Sequence, residues 1–197
     1  YTMSFSLIIL AGGNSHRFRS KFGKPYQKIG GKSLIEINLN KAHKFKEIKK
    51  IVLVYNKKDS KRVKSLKLKN VKLISGGKNR QQSTFNALKY LINQKWASKV
   101  LIHDAARPNF SIKFLGKILK SMNNARAVVP KIKVQDALKQ IIHSSKEEYL
   151  VGKKRENFFL TQTPQAFNLK EIYYLHKSNS GKYKDDDISL YMDLNKV

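Results

Sequence analysis

The feature that most constrains this chain is a series of short apolar runs. Most are closed by glycine or aspartate, and most are followed by a segment with helical spacing. Residues 4–11 are largely apolar and end in Gly12-Gly13. Ile51-Val52-Leu53-Val54-Tyr55 forms a second run, residues 71–74 a third closed by Gly76-Gly77, and residues 99–103 a fourth ending in Asp104. Such runs read as strands buried on both faces. Between them, residues 33–45, 81–92 and 112–122 repeat apolar side chains at helical spacing, with Ser33 placed as an N-cap. Strands alternating with helices predict an α/β fold: a Rossmann-like, mostly parallel sheet with helices on both faces. A fifth strand is expected at residues 125–130, a short basic helix or turn at 63–68, an extended piece at 158–167, a helix at 169–176 and the start of another at 188–194. Two extended stretches around a polar Ser-Ser-Lys turn, residues 134–155, read as a projecting β-arm. With 197 residues, one domain is expected.

Ligands of such sheets bind beyond the carboxyl ends of the strands. That rule groups Gly12-Gly13, Gly76-Gly77 and Asp104. Glycines let backbone N–H groups approach a ligand, and successive N–H groups make a concave anion site. Arg17 and Lys24 add formal charge to the first loop, which suits a triphosphate; a tight strand-to-helix turn with a solvated basic loop is the plainer alternative. The loop is not a G-x-G-x-x-G fingerprint, since Ser15 stands at the second glycine, and Gly31-Lys32-Ser33 lacks the first glycine of a P-loop. Gly76-Gly77 before a helix offers free N–H donors at the helix start. His103 reads as a packed or hydrogen-bonded histidine.

The formal net charge of +28 invites a nucleic-acid reading, but only seven of the 41 basic residues are arginine, and lysines occur in nearly every segment. Nucleic-acid surfaces more often cluster arginine and lysine with aromatics, so a nucleic-acid partner is not expected. The absence of cysteine removes disulfides and thiol chemistry and fits a reducing cytoplasm. No apolar run is long enough to span a bilayer.

Leu10-Ala11-Gly12-Gly13-x4-Phe18 with Lys24-Pro25-Tyr26 resembles the signature of sugar and alditol-phosphate nucleotidyltransferases. Ser75-Gly76-Gly77-x-x-Arg80-x-x-Ser83 resembles a cytidylyltransferase segment. His103-Asp104-Ala105-Ala106-Arg107-Pro108 matches the motif of 2-C-methyl-D-erythritol 4-phosphate cytidylyltransferases residue for residue, and Arg155 with Thr163-Pro164-Gln165-x-Phe167 keeps that family's spacing. The resemblance runs from Ile8 to Leu194. It departs at Gly23, where proline usually precedes the lysine, leaving Lys21 as a competing register; at Ala137, where threonine is usual; and at Asp185, also a threonine position.

The resemblance implies transfer of CMP from CTP to 2-C-methyl-D-erythritol 4-phosphate, with release of pyrophosphate, in isoprenoid-precursor synthesis. Arg17 and Lys24 would stabilise the pentacoordinate phosphorus. Ala11, Gly12, Gly13, Asn14, Gly76, Gly77, Ser83 and Ala105 would hold the nucleotide. Asp104, Arg107 and Thr163 would hold the acceptor, and Arg155 would reach a partner's site through the arm of a homodimer. Mg²⁺ would travel on the CTP phosphates. Asp185-Asp186-Asp187 could bind a metal or place charge at a helix start, the simpler account. Family members continue into a further strand with an Asn-x-Lys-(Ile/Val)-Thr element, expected to be missing here, and some carry a fused cyclodiphosphate synthase domain. Cytidylyl transfer to another alditol phosphate such as ribitol 5-phosphate, and a non-catalytic basic protein that binds nucleotide or RNA, are the alternatives.

Overall fold

A computed structural model describes residues 4–13, 23–94, 96–143, 147–181 and 184–192. Strand β1 (Phe5–Ala11) is followed, after the first loop, by a 3-10 turn at Lys24–Tyr26 and a small antiparallel hairpin, β2 (Lys28–Ile29) and β3 (Lys32–Ser33). The two-residue hairpin loop is Gly30-Gly31, at φ +55° and +78°, a left-handed pair that only glycine adopts cheaply. Helix α1 (Leu34–Ala42) then starts on a capping box: Ser33 Oγ accepts from the Glu36 N–H, and Glu36 accepts from the Ser33 N–H. The chain continues through β4 (Ile48–Tyr55), α2 (Ser60–Ser65), β5 (Val71–Ser75), α3 (Arg80–Ile92), β6 (Lys99–Asp104), α4 (Ile112–Ser121) and β7 (Ala127–Val128). It leaves the body through β8 (Lys131–Lys133), β9 (Leu138–His143) and β10 (Glu148–Lys153), and returns through β11 (Phe159–Thr161). It ends, among the described residues, with β12 (Gln165–Asn168), α5 (Leu169–Ser178) and α6 (Ser189–Met192).

The main sheet has the order β5-β4-β1-β6-β12-β7. Strands β5, β4, β1 and β6 are parallel, and β12 runs antiparallel to both β6 and β7. Successive residues of β1 face opposite layers, as strand geometry requires. Phe5, Leu7 and Ile9 pack with Ile35 and Leu39 of α1 and Leu115 and Ile118 of α4. Ile8 packs with Leu88 and Leu91 of α3 and Ile172 of α5. Both faces are therefore dry, which is why the strand reads as a continuous apolar run rather than an alternating one.

Three expectations are refined. The fifth strand is only two residues long, because the chain departs at Pro130 into the β8–β11 pair. The extended piece at 158–167 is two strands, separated at a cis Thr163-Pro164 bond: β11 pairs with β8, and β12 enters the main sheet. The short basic helix begins earlier, at Ser60. The arm is an antiparallel β9–β10 hairpin carried on the β8–β11 pair. No helix among the described residues is long and apolar enough to cross a membrane.

Candidate active site

Registry brings the strand ends together. Ala11 lies opposite Tyr55, Tyr55 opposite Ser75, and Leu10 opposite Asp104. From β1 the chain moves outward to β4 and β5, then crosses back to β6 on the other side of β1. The ligand crevice of an open sheet is expected at this switch. A cavity of about 680 Å³ opens there, lined by Gly12, Gly13, Lys24, Asn56, Gly77, Lys78, Arg80, Ser83, Asp104, Ala106 and Arg107 among others. A side hollow of about 300 Å³ continues it past Gly76 and Lys57.

The two glycine turns meet at its floor. A Cβ on Gly12 would lie 3.8 Å from Gly76 Cα, and one on Gly77 would lie 2.1 Å from Gln82 Cγ and 2.6 Å from Gln82 Cβ. Asn56 Nδ2 donates to the Gly12 carbonyl at 3.2 Å, tying the first loop to the end of β4. Asn79 caps α3 by accepting from the Gln82 N–H at 2.8 Å. Ser83 Oγ donates to Asn79 O at 2.8 Å and accepts from Gly77 N–H at 3.0 Å. The serine thus holds the second glycine turn against the helix, with one lone pair left for a ligand donor.

On the opposite wall, both oxygens of Asp104 are held. Arg80 Nε donates to Oδ1 at 3.3 Å and Arg107 Nε to Oδ2 at 3.1 Å; Arg107 Nη1 also donates to Gln162 Oε1 at 2.5 Å. Arg80 Nη1 donates to Asp187 Oδ2 at 2.7 Å. Burial works against the charge on Arg80, but Asp187 and Asp104 outweigh it and raise its pKa. Burial would likewise raise the Asp187 pKa, yet Arg80 and the His176 hydrogen bond hold it at about 2. Asp187 therefore contributes stability above the ordinary carboxylate range and loses it as pH falls from about 4.

Behind Asp104, His103 is buried. Its Nε2 faces two acceptors, Asn38 Oδ1 at 3.3 Å and Arg107 O at 3.0 Å, so Nε2 carries the proton. Nδ1 then accepts from the Thr163 hydroxyl at 2.9 Å, while Thr163 Oγ1 accepts from the Asp104 N–H at 3.3 Å. Burial pushes the His103 pKa down to about 4. A histidine depressed in the folded state contributes stability above its unfolded pKa of about 6.5 and loses it as pH falls toward 4. Urea unfolding between pH 7 and 4.5 should therefore lose roughly 2–3 kcal/mol through this group. His103→Gln should flatten that part of the profile; an unchanged slope would contradict the neutral, buried histidine.

The cavity gathers Gly12, Gly13, Lys24, Gly77, Ser83, Asp104 and Arg107 from the expected set. Ala11 and Ala105 lie in the core beneath it, and the Ala105 N–H is engaged by Leu10 O. Thr163 contacts Asp104 and His103 rather than lining the cavity. Arg17, Asn14 and Lys21 lie outside the described residues. Arg155 lines a separate hollow with Lys131, Gln135 and Phe159, where its Nη1 donates to Gln135 O at 2.5 Å. Ala137 is exposed just ahead of β9. The three aspartates diverge: Asp185 is exposed, Asp186 accepts from the Ser189 N–H at the start of α6, and Asp187 goes to Arg80 and His176. Sequence reasoning gave no role to Arg80, Asn56 or Lys78. Arg80 stood within the quoted Gly-Gly-x-x-Arg string at a helix start, which was the available signal.

The model of the 2-C-methyl-D-erythritol 4-phosphate cytidylyltransferase family, IspD, matches residues 5–194. The chain belongs to this family. It is 44% identical over 184 residues to the bifunctional enzyme IspD/IspF of Pelagibacter ubique, covering 93% of this chain and 48% of that protein. It is 31% identical over 195 residues to the 2-C-methyl-D-erythritol 4-phosphate cytidylyltransferase of Geobacillus kaustophilus, covering 95% and 83%. The crystal structure of 4-diphosphocytidyl-2C-methyl-D-erythritol synthase from Anaerococcus prevotii superimposes with a TM-score of 0.81 at 31% identity, covering 99% of this chain and 84% of that one. The chain thus spans about half the length of the bifunctional relative and most of the single-function one. The fold and the motif-bearing loops lie within the matched region.

Proposed function

We propose that the chain transfers CMP from CTP to 2-C-methyl-D-erythritol 4-phosphate, giving 4-diphosphocytidyl-2-C-methyl-D-erythritol and pyrophosphate. The observation that carries this reading is the single cavity at the strand ends. One wall is made of glycine turns, Lys24 and Ser83; the other is made of Asp104 and Arg107. A phosphate oxygen of the acceptor attacks the α-phosphorus of CTP, and the bond to the β-phosphate breaks. The attacking oxygen is already ionised near neutral pH, so no general base is required. This agrees with a His103 that is neutral, buried and engaged on both nitrogens. Catalysis then rests on positioning and charge neutralisation. Lys24, with Arg17 from the same loop, stabilises charge on the phosphorus. Asp104 accepts from acceptor hydroxyls, and Arg107 meets its phosphate.

Magnesium fits this cavity as a passenger on the triphosphate. Both oxygens of Asp104 accept from arginines, and the described residues contain no group of three His, Cys, Asp or Glu placed to hold a metal. When bound there, the ion would neutralise phosphate charge.

The reading includes a homodimer. Ile141, Tyr149 and Leu150 of the hairpin and Phe158, Phe159 and Leu160 of the return strand region are all about half exposed or more. A two-stranded hairpin is marginal without further packing. A second copy that covers it reciprocally would carry Arg155 to the partner's cavity. A cytoplasmic location, consistent with the cysteine-free composition, belongs to the same reading.

Pyrophosphate release tests the activity directly. CTP with methylerythritol phosphate should be the best pair among CTP, UTP, ATP and GTP and a panel of alditol phosphates. A preference for ribitol 5-phosphate would reassign the acceptor. Equal use of all four nucleotides would remove base recognition by Ser83 and the Gly76-Gly77 turn.

A further inference from the structure

We infer that Arg80, locked from behind by the buried Asp187–His176 pair, is a positioning residue that aims the Asp104 carboxylate at the acceptor. The inference rests on the proposed activity and adds a specificity element whose support, Asp187 and His176, does not line the cavity.

Arg80 is the first residue of α3 and stands between two carboxylates that come from distant parts of the chain. Its Nε reaches Asp104 at the end of β6, and its Nη1 reaches Asp187 beyond α5. Asp187 is 1% exposed and has little freedom to move, because its second oxygen lies 3.0 Å from His176 Nε2. His176 is equally buried, and its ring lies parallel to Phe85 of α3, with centroids 6.3 Å apart and planes 5° apart. The guanidinium is planar and presents donors in a fixed fork. With one edge fixed by Asp187, the direction of Nε, and so the position of Asp104 Oδ1, is set.

Asp104 needs such a support. An ionised carboxylate offers about four lone-pair sites, and the two arginine contacts leave about two for substrate hydroxyls. Those sites point usefully only if the carboxylate plane is fixed. Arg107 alone would be a weak brace, since its side chain is half exposed and lies on the same loop as Asp104. Arg80 is the firmer one, because it ties Asp104 to α3 and, through Asp187 and His176, to α5. A purely structural ion pair would need Asp187 but not Asp104. The placement of Arg80 in the cavity wall, bonded to both, makes it a support for binding.

The test is a kinetic split. Arg80→Lys keeps the charge, but a single ammonium cannot span both carboxylates in the geometry of the fork. It should raise KM for methylerythritol phosphate about tenfold while leaving KM for CTP within about twofold, as expected for loss of one charge-assisted contact. Asp187→Asn, near-identical in shape, should shift the same constant in the same direction. The double variant should be no worse than the worse single one, because both act through one chain of contacts. If Asp187→Asn does not fold, Arg80→Lys decides alone. An unchanged acceptor KM, or a rise confined to CTP, overturns the inference, as does an additive double variant. Wild-type protein that releases no pyrophosphate with any acceptor would instead bring down the proposed activity. Calorimetric titration of methylerythritol phosphate onto wild type and Arg80→Lys would then decide the inference, with equal affinities overturning it.

Discussion

Lys24→Ala should lower turnover by about 10²–10³-fold, the cost of removing one preorganised charge contact to a developing transition state. The apparent affinity for CTP should fall far less, because the glycine turns and Ser83 remain. Lys24 is suited to this role by its footing. It opens a 3-10 turn whose next two residues, Pro25 and Tyr26, are buried. The Tyr26 N–H is held by Gly23 O at 3.0 Å, and Arg62 lies over the Tyr26 ring at 5.4 Å from the centroid. The backbone under the lysine is therefore fixed against the core although glycine precedes it, at the position where the family usually has proline. Steady-state pyrophosphate release with circular dichroism as a folding control is sufficient. A folded variant with near wild-type turnover would remove Lys24 from the chemistry and return the lysine register to Lys21.

Local signals were readable wherever neighbours in sequence are neighbours in space. Ser33 was placed as the N-cap of α1 from its position ahead of the apolar helical spacing, and its reciprocal partner Glu36 lies only three residues on. Three of the parallel strands, β1, β4 and β6, were legible because their central residues are buried on both faces and so read as apolar runs; the edge strand β5, where Lys72 is exposed, was marked instead by the Gly76-Gly77 turn that closes it. Burial on both faces also concealed the direction of β12. A strand buried on both faces looks the same in either orientation, and the segment at 158–167 carries two strands with different partners. Long-range polar contacts were hidden for a related reason. Arg80 pairs with a carboxylate 107 positions away, and nothing in the local spacing of Asp185-Asp186-Asp187 says that the third carboxylate turns inward while the second caps α6. Thr163 and Ser83 were readable as residues of the region, but not as residues whose hydroxyls already bond to the protein. Thr163 fixes the backbone of Asp104, and Ser83 fixes the Gly77 turn, so any role they have for a ligand includes holding those segments in place.

The strongest test of the arm uses two inactive chains. Lys24→Ala damages the cavity, and Arg155→Ala damages the arm. If Arg155 serves the partner's cavity, a mixed dimer contains one cavity with neither change and one with both. Random reassortment at equal amounts makes about half the dimers mixed, so about a quarter of wild-type activity should return on mixing, as reciprocal two-fold symmetry requires. Within its own chain, Arg155 is not part of the cavity lining; it faces Gln135 and Glu156 on the arm. Leu150 is 65% exposed and Leu160 55%, apolar surface that a second subunit would remove from water. Sedimentation should accordingly report a dimer at assay concentrations. Failure to recover activity, once subunit exchange has been demonstrated with differently tagged chains, would confine Arg155 to its own subunit. A monomer by sedimentation would remove the shared site altogether, and either result would leave the cavity and its cytidylyl chemistry to be judged by Lys24→Ala alone.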